Sequence, residues 1–317
     1  MSFLALALLA QLAKTPSPAG GASMPAPPAT PPATGSAYAG AAGLDVIWAP
    51  TFEIAKGSAR DLKDGRILLF FTDPDCGECD RMLKIIAPST SFYAFTRDKV
   101  PVPVDISKPD GLRLAQRLRV VGIPTWVVVT PDLIECSRQE GVTTQQGWVE
   151  TFIQGERGWA AFKRAQAEEN ANPGDLAAVY EVARQLYQRG AREQSEGRFR
   201  RLSLDSKAPP DVREEANAYL ASLDLDAGRL DDATRLLDDL AANAKNERIR
   251  ERAELRRADV EIARGRKDLA AFRLKEFEKA HPTSPLVAEA RALLDALQGK
   301  APESPVPAAT PAAGGKG

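Results

Sequence analysis

Cys76 and Cys79 are the residues of this chain whose type and spacing could carry chemistry, and they form a C-G-E-C motif. Two intervening residues allow the two sulfur atoms to reach bonding distance across one helical turn. A pair at this spacing is compatible with reversible dithiol–disulfide exchange, with half of a metal site, or with a fixed disulfide that stabilises a domain. The surrounding sequence has to distinguish these possibilities.

The elements around the pair favour dithiol exchange. Directly before it, the run ILLFFT from Ile67 to Thr72 is almost wholly apolar, which is typical of a strand buried on both faces. This places Cys76 at a strand-to-helix junction and Cys79 one turn into the helix. The helix N-terminus stabilises negative charge on the first sulfur. We therefore expect Cys76 to be the exposed nucleophile and Cys79 to be the buried thiol that resolves the mixed disulfide.

Strands and helices alternate on either side of the motif. Further strands are predicted over Val100–Ile106, Trp126–Thr130 and Ile134–Gln139, and helices over Glu78–Ile86, Pro109–Leu118 and Thr144–Gln154. This alternation predicts an α/β domain whose sheet is covered on both faces. Pro101 and Pro103 indicate that their strand either has an interrupted hydrogen-bond ladder or lies near an edge of the sheet.

After Pro173 the strand patterns end, and an internal repeat follows. It begins at each of three glycines, Gly190, Gly228 and Gly265. Five residues after each glycine is a small residue, and nine and twelve residues after it are large apolar ones. These positions are Ser195, Ala233 and Ala270, then Phe199, Leu237 and Leu274, then Leu202, Leu240 and Phe277. Each glycine is predicted to end a helix with positive φ, so the pattern indicates stacked helix hairpins, closed by a helix over Pro285–Leu297.

This repeat resembles tetratricopeptide repeats of the slightly long variety found in bacterial envelope proteins. The resemblance covers about Asp175 to Leu297 and rests on the small and aromatic positions. It implies an all-α repeat domain that binds a protein partner in a concave groove.

The first half of the chain resembles the thioredoxin family from about Trp48 to Gln154. The resemblance rests on ILLFFTDPDCGEC, on VPVDISKPDGLRLAQRLRVVGIPTWVVV, and on the strand ending in Glu140-Gly141. It is similar to the thioredoxin-like domains of bacterial thiol:disulfide interchange proteins. The resemblance implies that Ile123, Pro124 and Thr125 form a cis-proline loop, which packs against the disulfide and presents backbone to a substrate strand. It also implies that no bound cofactor is needed, because a partner dithiol supplies the electrons.

Three residues depart from the family pattern. Asp75 precedes the first cysteine where thioredoxins usually have tryptophan, and Glu78 stands where they usually have proline. Phe70, six residues before Cys76, replaces a buried carboxylate that helps to move the proton of the second thiol. The motif is also crowded by negative charge, from Asp73, Asp75, Glu78 and Asp80. That charge opposes thiolate formation and raises the pKa of Cys76, which predicts a reductant or isomerase-like role more than an oxidant's.

The overall composition argues against several other classes of function. The chain has 317 residues, with 42 basic and 43 acidic side chains, so a nucleic acid or an acidic membrane surface is not an expected partner. Its one histidine, His281, argues against histidine-dependent nucleophilic catalysis. One remote histidine and three cysteines also do not make a usual zinc site, so no metal is expected. The third cysteine, Cys136, is predicted to be a buried small hydrophobe.

The chain divides into five segments. Residues 1–13 are a signal-like apolar segment, whose run from Phe3 to Ala13 is too short to span a bilayer. Residues 14–43 form a Pro/Ala-rich linker that is expected to be disordered, and 299–317 a tail of similar composition. Between them, 44–157 is the predicted thioredoxin-like domain and 158–298 the helical repeats. We expect the protein to be exported to the periplasm or cell envelope, with no integral membrane span.

These features predict an exported thiol–disulfide oxidoreductase. Its expected partners are protein substrates with disulfides or thiols, a redox partner dithiol, and a protein bound by the repeats. The alternative is a non-catalytic cell-envelope scaffold with a degenerate thioredoxin-like domain, which the acidic motif and Phe70 favour. A fixed disulfide is disfavoured, because the loop between Cys76 and Cys79 is so short that closing it gives little entropic stabilisation.

Overall fold

The structure of the chain is a computed structural model that describes residues 46–299. The signal-like segment 1–13, the linker 14–43 and residues 300–317 of the tail lie outside the described residues. The described part forms two compact units, residues 46–202 and 203–299.

The first unit is built around a four-stranded mixed sheet. Its elements are α1 (Phe52–Arg60), β1 (Arg66–Thr72), α2 (Gly77–Ile86), α3 (Thr90–Thr96), β2 (Lys99–Asp105), α4 (Pro109–Arg117), β3 (Thr125–Val129), β4 (Glu135–Glu140), α5 (Gln145–Ala171), α6 (Leu176–Gln188) and α7 (Arg192–Leu204), whose last turn crosses the division between the units. The strand order is β2-β1-β3-β4. β2 is parallel to β1, whereas β3 is antiparallel to both β1 and β4.

Both faces of the sheet are covered, as the sequence predicts. Successive side chains of β1 point to opposite faces. Leu68 and Phe70 pack into the core beneath α2, α3 and α5, whereas Leu69 and Phe71 pack into the core beneath α1 and α4. β1 is therefore apolar from Ile67 to Phe71 because neither of its faces meets water there.

The two prolines of β2 lie at the edge of the sheet. Of the two predicted alternatives, the edge position is the one observed, and the register between β1 and β2 is unbroken from Arg66↔Lys99 to Thr72↔Asp105. Ala49 N–H donates to the carbonyl of Pro101 at 2.9 Å, so that carbonyl points away from β1. The N and C=O of a strand residue lie on the same side, so the prolines lack their N–H groups on the outer side, where β1 needs no donor.

Helix α5 differs most from its predicted extent. It begins after Thr144, whose Oγ1 accepts from Gly147 N–H at 3.1 Å, and it continues to Ala171 instead of ending at Gln154. The predicted domain boundary at 157/158 therefore falls inside a helix. Trp159 of α5 and Val182 of α6 are part of the same core that packs under β1. The unit that holds the sheet consequently includes helices that the sequence pattern had placed with the repeats.

Arg189, at the end of α6, attaches this helix to the edge strand β4. Its carbonyl accepts from Glu135 N–H at 3.1 Å, and its Nη1 donates to the Glu135 carbonyl at 3.0 Å. The guanidinium lies 4.9 Å from the ring centroid of Phe162, in cation–π geometry. With its backbone carbonyl and its side chain, this one residue thus satisfies the first open backbone groups of β4 and covers that end of the edge strand.

The second unit is entirely helical within the described residues. It contains α8 (Pro210–Asp226), α9 (Leu230–Asn243), α10 (Glu247–Ala263), α11 (Lys267–Ala280) and α12 (Val287–Leu297).

The nine small and large positions of the predicted repeat are all buried. Gly190, Gly228 and Gly265 have φ of +74°, +74° and +75°, as expected for glycines that end helices. The predicted closing helix begins at Val287, two residues later than expected.

The contact between α5 and β4 yields a paired test of the packing. A Cβ at Gly155 would lie 2.2 Å from Ser137 Cβ, whereas at Gly158, on the same helix, the nearest atom would be 3.8 Å away. We expect Gly155→Ala to lower the free energy of unfolding by about 1–3 kcal/mol through overpacking. Gly158→Ala serves as the control and is expected to raise it by up to about 1 kcal/mol through helix propensity. Urea unfolding measures both, and equal effects would contradict this packing.

Candidate active site

A tight turn connects β1 to α2 and sets the position of the first cysteine. Asp73 makes this turn with both its backbone and its side chain. Its carbonyl accepts from Cys76 N–H at 3.0 Å, and its Oδ1 accepts from Asp75 N–H at 2.9 Å. This side-chain bond to the backbone two residues on is an Asx turn. The chain therefore leaves the sheet at Thr72 and enters the helix within four residues.

Cys76 caps the N-terminus of α2 with its sulfur. It is the N-cap residue, and its Sγ accepts from Cys79 N–H at 3.1 Å. The first N–H groups of a helix have no partner within the helix, so the sulfur satisfies one of them. A thiolate in the same place would be a charged and stronger acceptor, and it would also be stabilised by the helix dipole.

The two cysteines form a disulfide, and their exposure differs. The Cα atoms of Cys76 and Cys79 are 5.2 Å apart. Cys79 is 1% exposed and packs among Met82 and other residues of the core, whereas Cys76 is only partly buried. Of the two cysteines, only Cys76 is therefore exposed to a partner molecule. This is the asymmetry that an attacking and a resolving thiol require.

The Ile123–Thr125 loop and the disulfide lie at the same end of the sheet, where β1 ends and β3 begins. The Ile123–Pro124 peptide bond is cis. Thr125 opens β3 opposite Phe71, at the end of β1 that leads to Cys76. Ile123 also packs against the core cluster that contains both cysteines. The loop is fixed on its other side by a hydrogen bond of 2.8 Å from Gly141 N–H to the Pro124 carbonyl.

Phe70 lies in the core of the domain. It is 1% exposed and belongs to the same core cluster as Cys79. Its ring centroid lies 4.2 Å from that of Trp126. A phenyl ring cannot accept a proton, so Phe70 offers Cys79 no base.

Acidic side chains surround the first cysteine on the surface. Asp75, Glu78 and Asp80 are exposed, and Asp73 is partly buried in the turn. Arg81 forms an ion pair with Glu78, one turn apart on α2. The one basic side chain that the sequence places beside the motif thus neutralises a single carboxylate.

Cys136 lies on β4 and is a free, buried cysteine. Burial raises the pKa of its thiol from the ordinary 9.0 to about 12, although the positive charges of Arg66 and Arg189 act in the opposite direction. The thiol is therefore protonated at neutral pH and poorly reactive.

Within 46–299, no group of three or more His, Cys, Asp and Glu side chains is arranged to bind a metal ion. In the same range, no helix combines the length and the apolarity that crossing a membrane requires.

Sequence reasoning missed two features that position the site. One is the cap on α2, since cysteine is not among the usual N-cap residues. The other is the Asx turn at Asp73, for which the D-P-D spacing was an available signal. Helix α3 was also not predicted, although Ser89 caps it by accepting from Phe92 N–H at 3.1 Å.

Comparison with known proteins assigns the fold of this region. Residues 56–153 match a family model described as a thioredoxin-like domain. The chain is thus a thioredoxin-like α/β domain followed by an all-helical region, whose burial pattern fits repeats. No curated protein matches the chain.

Two solved structures are similar to part of it. A thioredoxin from Thermus thermophilus is 24% identical, over 34% of this chain and 84% of that one, with a TM-score of 0.30. A protein described as DsbH Oxidoreductase is 21% identical, over 42% of this chain and 94% of that one, with a TM-score of 0.31.

The exposure and charge of the cysteines predict an order of alkylation. In the reduced protein we expect iodoacetamide to label Cys76 at least about tenfold faster than Cys79 or Cys136, because only the first is accessible and a thiolate is the reactive form. The rate at Cys76 is expected to keep rising with pH through neutrality, since the neighbouring carboxylates oppose its ionisation. Peptide mass spectrometry measures each site, and urea-unfolded protein is the control in which all three react alike. A rate at Cys76 that has already levelled off at acidic pH would contradict this account.

Proposed function

We propose that this protein is a thiol–disulfide oxidoreductase that acts on protein substrates. The observation that carries the proposal is the asymmetric pair at the start of α2. Cys76 is partly exposed and its sulfur caps the helix, whereas Cys79 is buried. The thioredoxin-like fold of residues 56–153 supports the same reaction class.

In the reducing direction, the reaction has two steps. The Cys76 thiolate attacks one sulfur of a substrate disulfide, the substrate S–S bond breaks, and the departing thiolate takes a proton from water. Cys79 then loses its proton to water and its thiolate attacks Cys76 Sγ. The bond between Cys76 and the substrate breaks, and the second substrate sulfur leaves as a thiolate that takes a proton from water. Two electrons pass to the substrate, and the protein is left with the Cys76–Cys79 disulfide. An external dithiol restores the reduced pair, so no bound cofactor takes part.

Substrate backbone is proposed to bind along the Ile123–Thr125 loop. The loop precedes β3 at the end of the sheet where β1 leads to Cys76. Within it, Thr125 Oγ1 donates to the Gly122 carbonyl at 2.7 Å. A loop held by its own hydrogen bonds can present an extended backbone without reordering.

The site is better suited to reduction or isomerisation than to strong oxidation. A strong oxidant has a stabilised first thiolate, whereas Asp75 and Asp80 place negative charge beside Cys76. Phe70 stands where thioredoxins usually have a carboxylate that accepts the proton of the second thiol. In this protein, water therefore has to take the proton of Cys79.

We further propose export to the cell envelope and a partner-binding role for the helical region. The apolar run from Phe3 to Ala13 supports export. The buried repeat positions support stacked helix hairpins, an architecture whose extended surfaces bind proteins.

Insulin reduction tests the proposed activity. The wild-type protein with dithiothreitol is expected to accelerate insulin precipitation, whereas Cys76→Ser abolishes the acceleration because the nucleophile is lost. Cys79→Ala is expected to trap a mixed disulfide at Cys76, since nothing resolves it. Cys136→Ala is the matched control and retains activity. A reduced wild-type protein without activity would overturn the proposal and favour the envelope scaffold.

A further inference from the structure

The surface around the Cys76 sulfur has an acidic side and an apolar side. The acidic side consists of Asp73, Asp75 and Asp80, in the turn and first helical turn that hold Cys76. We propose that this surface selects disulfide partners that carry positive charge beside the reacting cysteine. This inference rests on the proposed function and adds the substrate class.

The acidic side chains are tied to Cys76 by the local backbone. Cys76 N–H donates to the Asp73 carbonyl at 3.0 Å, and Asp80 N–H donates to the Cys76 carbonyl at 3.2 Å. Asp75 is adjacent in sequence, and both it and Asp80 are exposed. Within residues 46–299, no ion pair reaches any of these three carboxylates.

Other charges near the site do not cancel this field. The N-terminus of α2 is equivalent to about half of one positive charge, which offsets only a fraction of three carboxylates. Arg81 is occupied by Glu78. On β4, Glu140 is paired with Arg138 at 2.9 Å, so this ion pair adds little net charge.

The apolar side lies on the loops that flank Pro124. Val121 is 70% exposed and Val142 is 48% exposed. The hydrogen bond from Gly141 to Pro124 holds the second of these valines beside the loop. Both are aliphatic side chains exposed on the loops on either side of Pro124. Together with the acidic side, they fit a partner segment that is apolar on one side of its cysteine and basic on the other.

The energetic consequence is a dependence on the charge of the disulfide. At about 0.1 M salt the Debye length is about 10 Å, so a charge on a partner docked at Cys76 still interacts with these carboxylates. A Lys or Arg beside the partner's cysteine is attracted, and an Asp or Glu is repelled. Anionic disulfides such as glutathione disulfide are accordingly poor substrates.

Three small disulfides of different charge test the inference on the reduced full-length protein. They are cystamine, which is cationic, hydroxyethyl disulfide, which is neutral, and dithiodipropionate, which is anionic. Each rate is divided by the rate of dithiothreitol with the same disulfide, which removes intrinsic reactivity. At about 10 mM salt, we expect the normalised cystamine-to-dithiodipropionate ratio to be at least about tenfold above unity and to collapse toward unity at about 1 M salt.

Isosteric variants assign the effect to named residues. In the double variant Asp75→Asn/Asp80→Asn, we expect the normalised ratio to fall to within about threefold of unity. A change in the thiolate fraction of Cys76 alters all three rates alike and cancels in the ratio. The matched control is Glu168→Gln/Glu276→Gln, which removes two exposed carboxylates elsewhere and is expected to leave the ratio unchanged.

The outcomes separate this inference from the proposed function. A wild-type protein that does not react with the neutral disulfide refutes the proposed function, and the inference falls with it. A protein that reacts with the neutral disulfide but has a normalised ratio within about twofold of unity refutes the inference alone. A high ratio that persists in the double Asn variant also refutes it, because the charge then lies elsewhere.

Discussion

The hydrogen bond from Cys79 N–H to Cys76 Sγ joins the chemistry of this protein to its fold. The N–H at the start of α2 needs an acceptor, and the Cys76 sulfur provides it. In return, the N–H stabilises negative charge on that sulfur. The bond depends on the place where α2 begins. That place is fixed by the turn at Asp73 and by the burial of Met82 and Ile86 under the sheet. A shift of α2 by one residue would turn Glu78 or Asp80 toward the core in place of Cys79.

The fold around this bond was largely predictable from the sequence, because the apolar patterns are strong. The run from Ile67 to Thr72 fits a strand buried on both faces, and the prolines of β2 indicated an edge position. The length of α5 was not predictable in the same way. Gly155 and Gly158 look like helix breakers in sequence, but the first permits close contact with Ser137, a residue about 20 positions away that only the fold brings near.

The position of the two cysteines in the fold was predictable to the same degree, whereas the pairing of the charges around them was not. The spacing of the cysteines and the preceding strand were enough to predict an exposed and a buried sulfur. The pairing of Arg81 with Glu78 depends on rotamers that sequence does not specify, and it decides which carboxylates stay unpaired. The extent of the unit that holds the sheet also depends on distant contacts, since Arg189 binds the backbone of β4 from α6.

The central claim is that Cys76 and Cys79 exchange reversibly between dithiol and disulfide, and the reduction potential of the pair tests it most directly. The full-length protein is equilibrated in thiol–disulfide buffers, and its redox state is read by alkylation and mass spectrometry. The account predicts a reversible two-electron transition with a midpoint between about −270 and −180 mV, in the range of reductants and isomerases. A midpoint below about −300 mV would contradict it, because such a disulfide is structural.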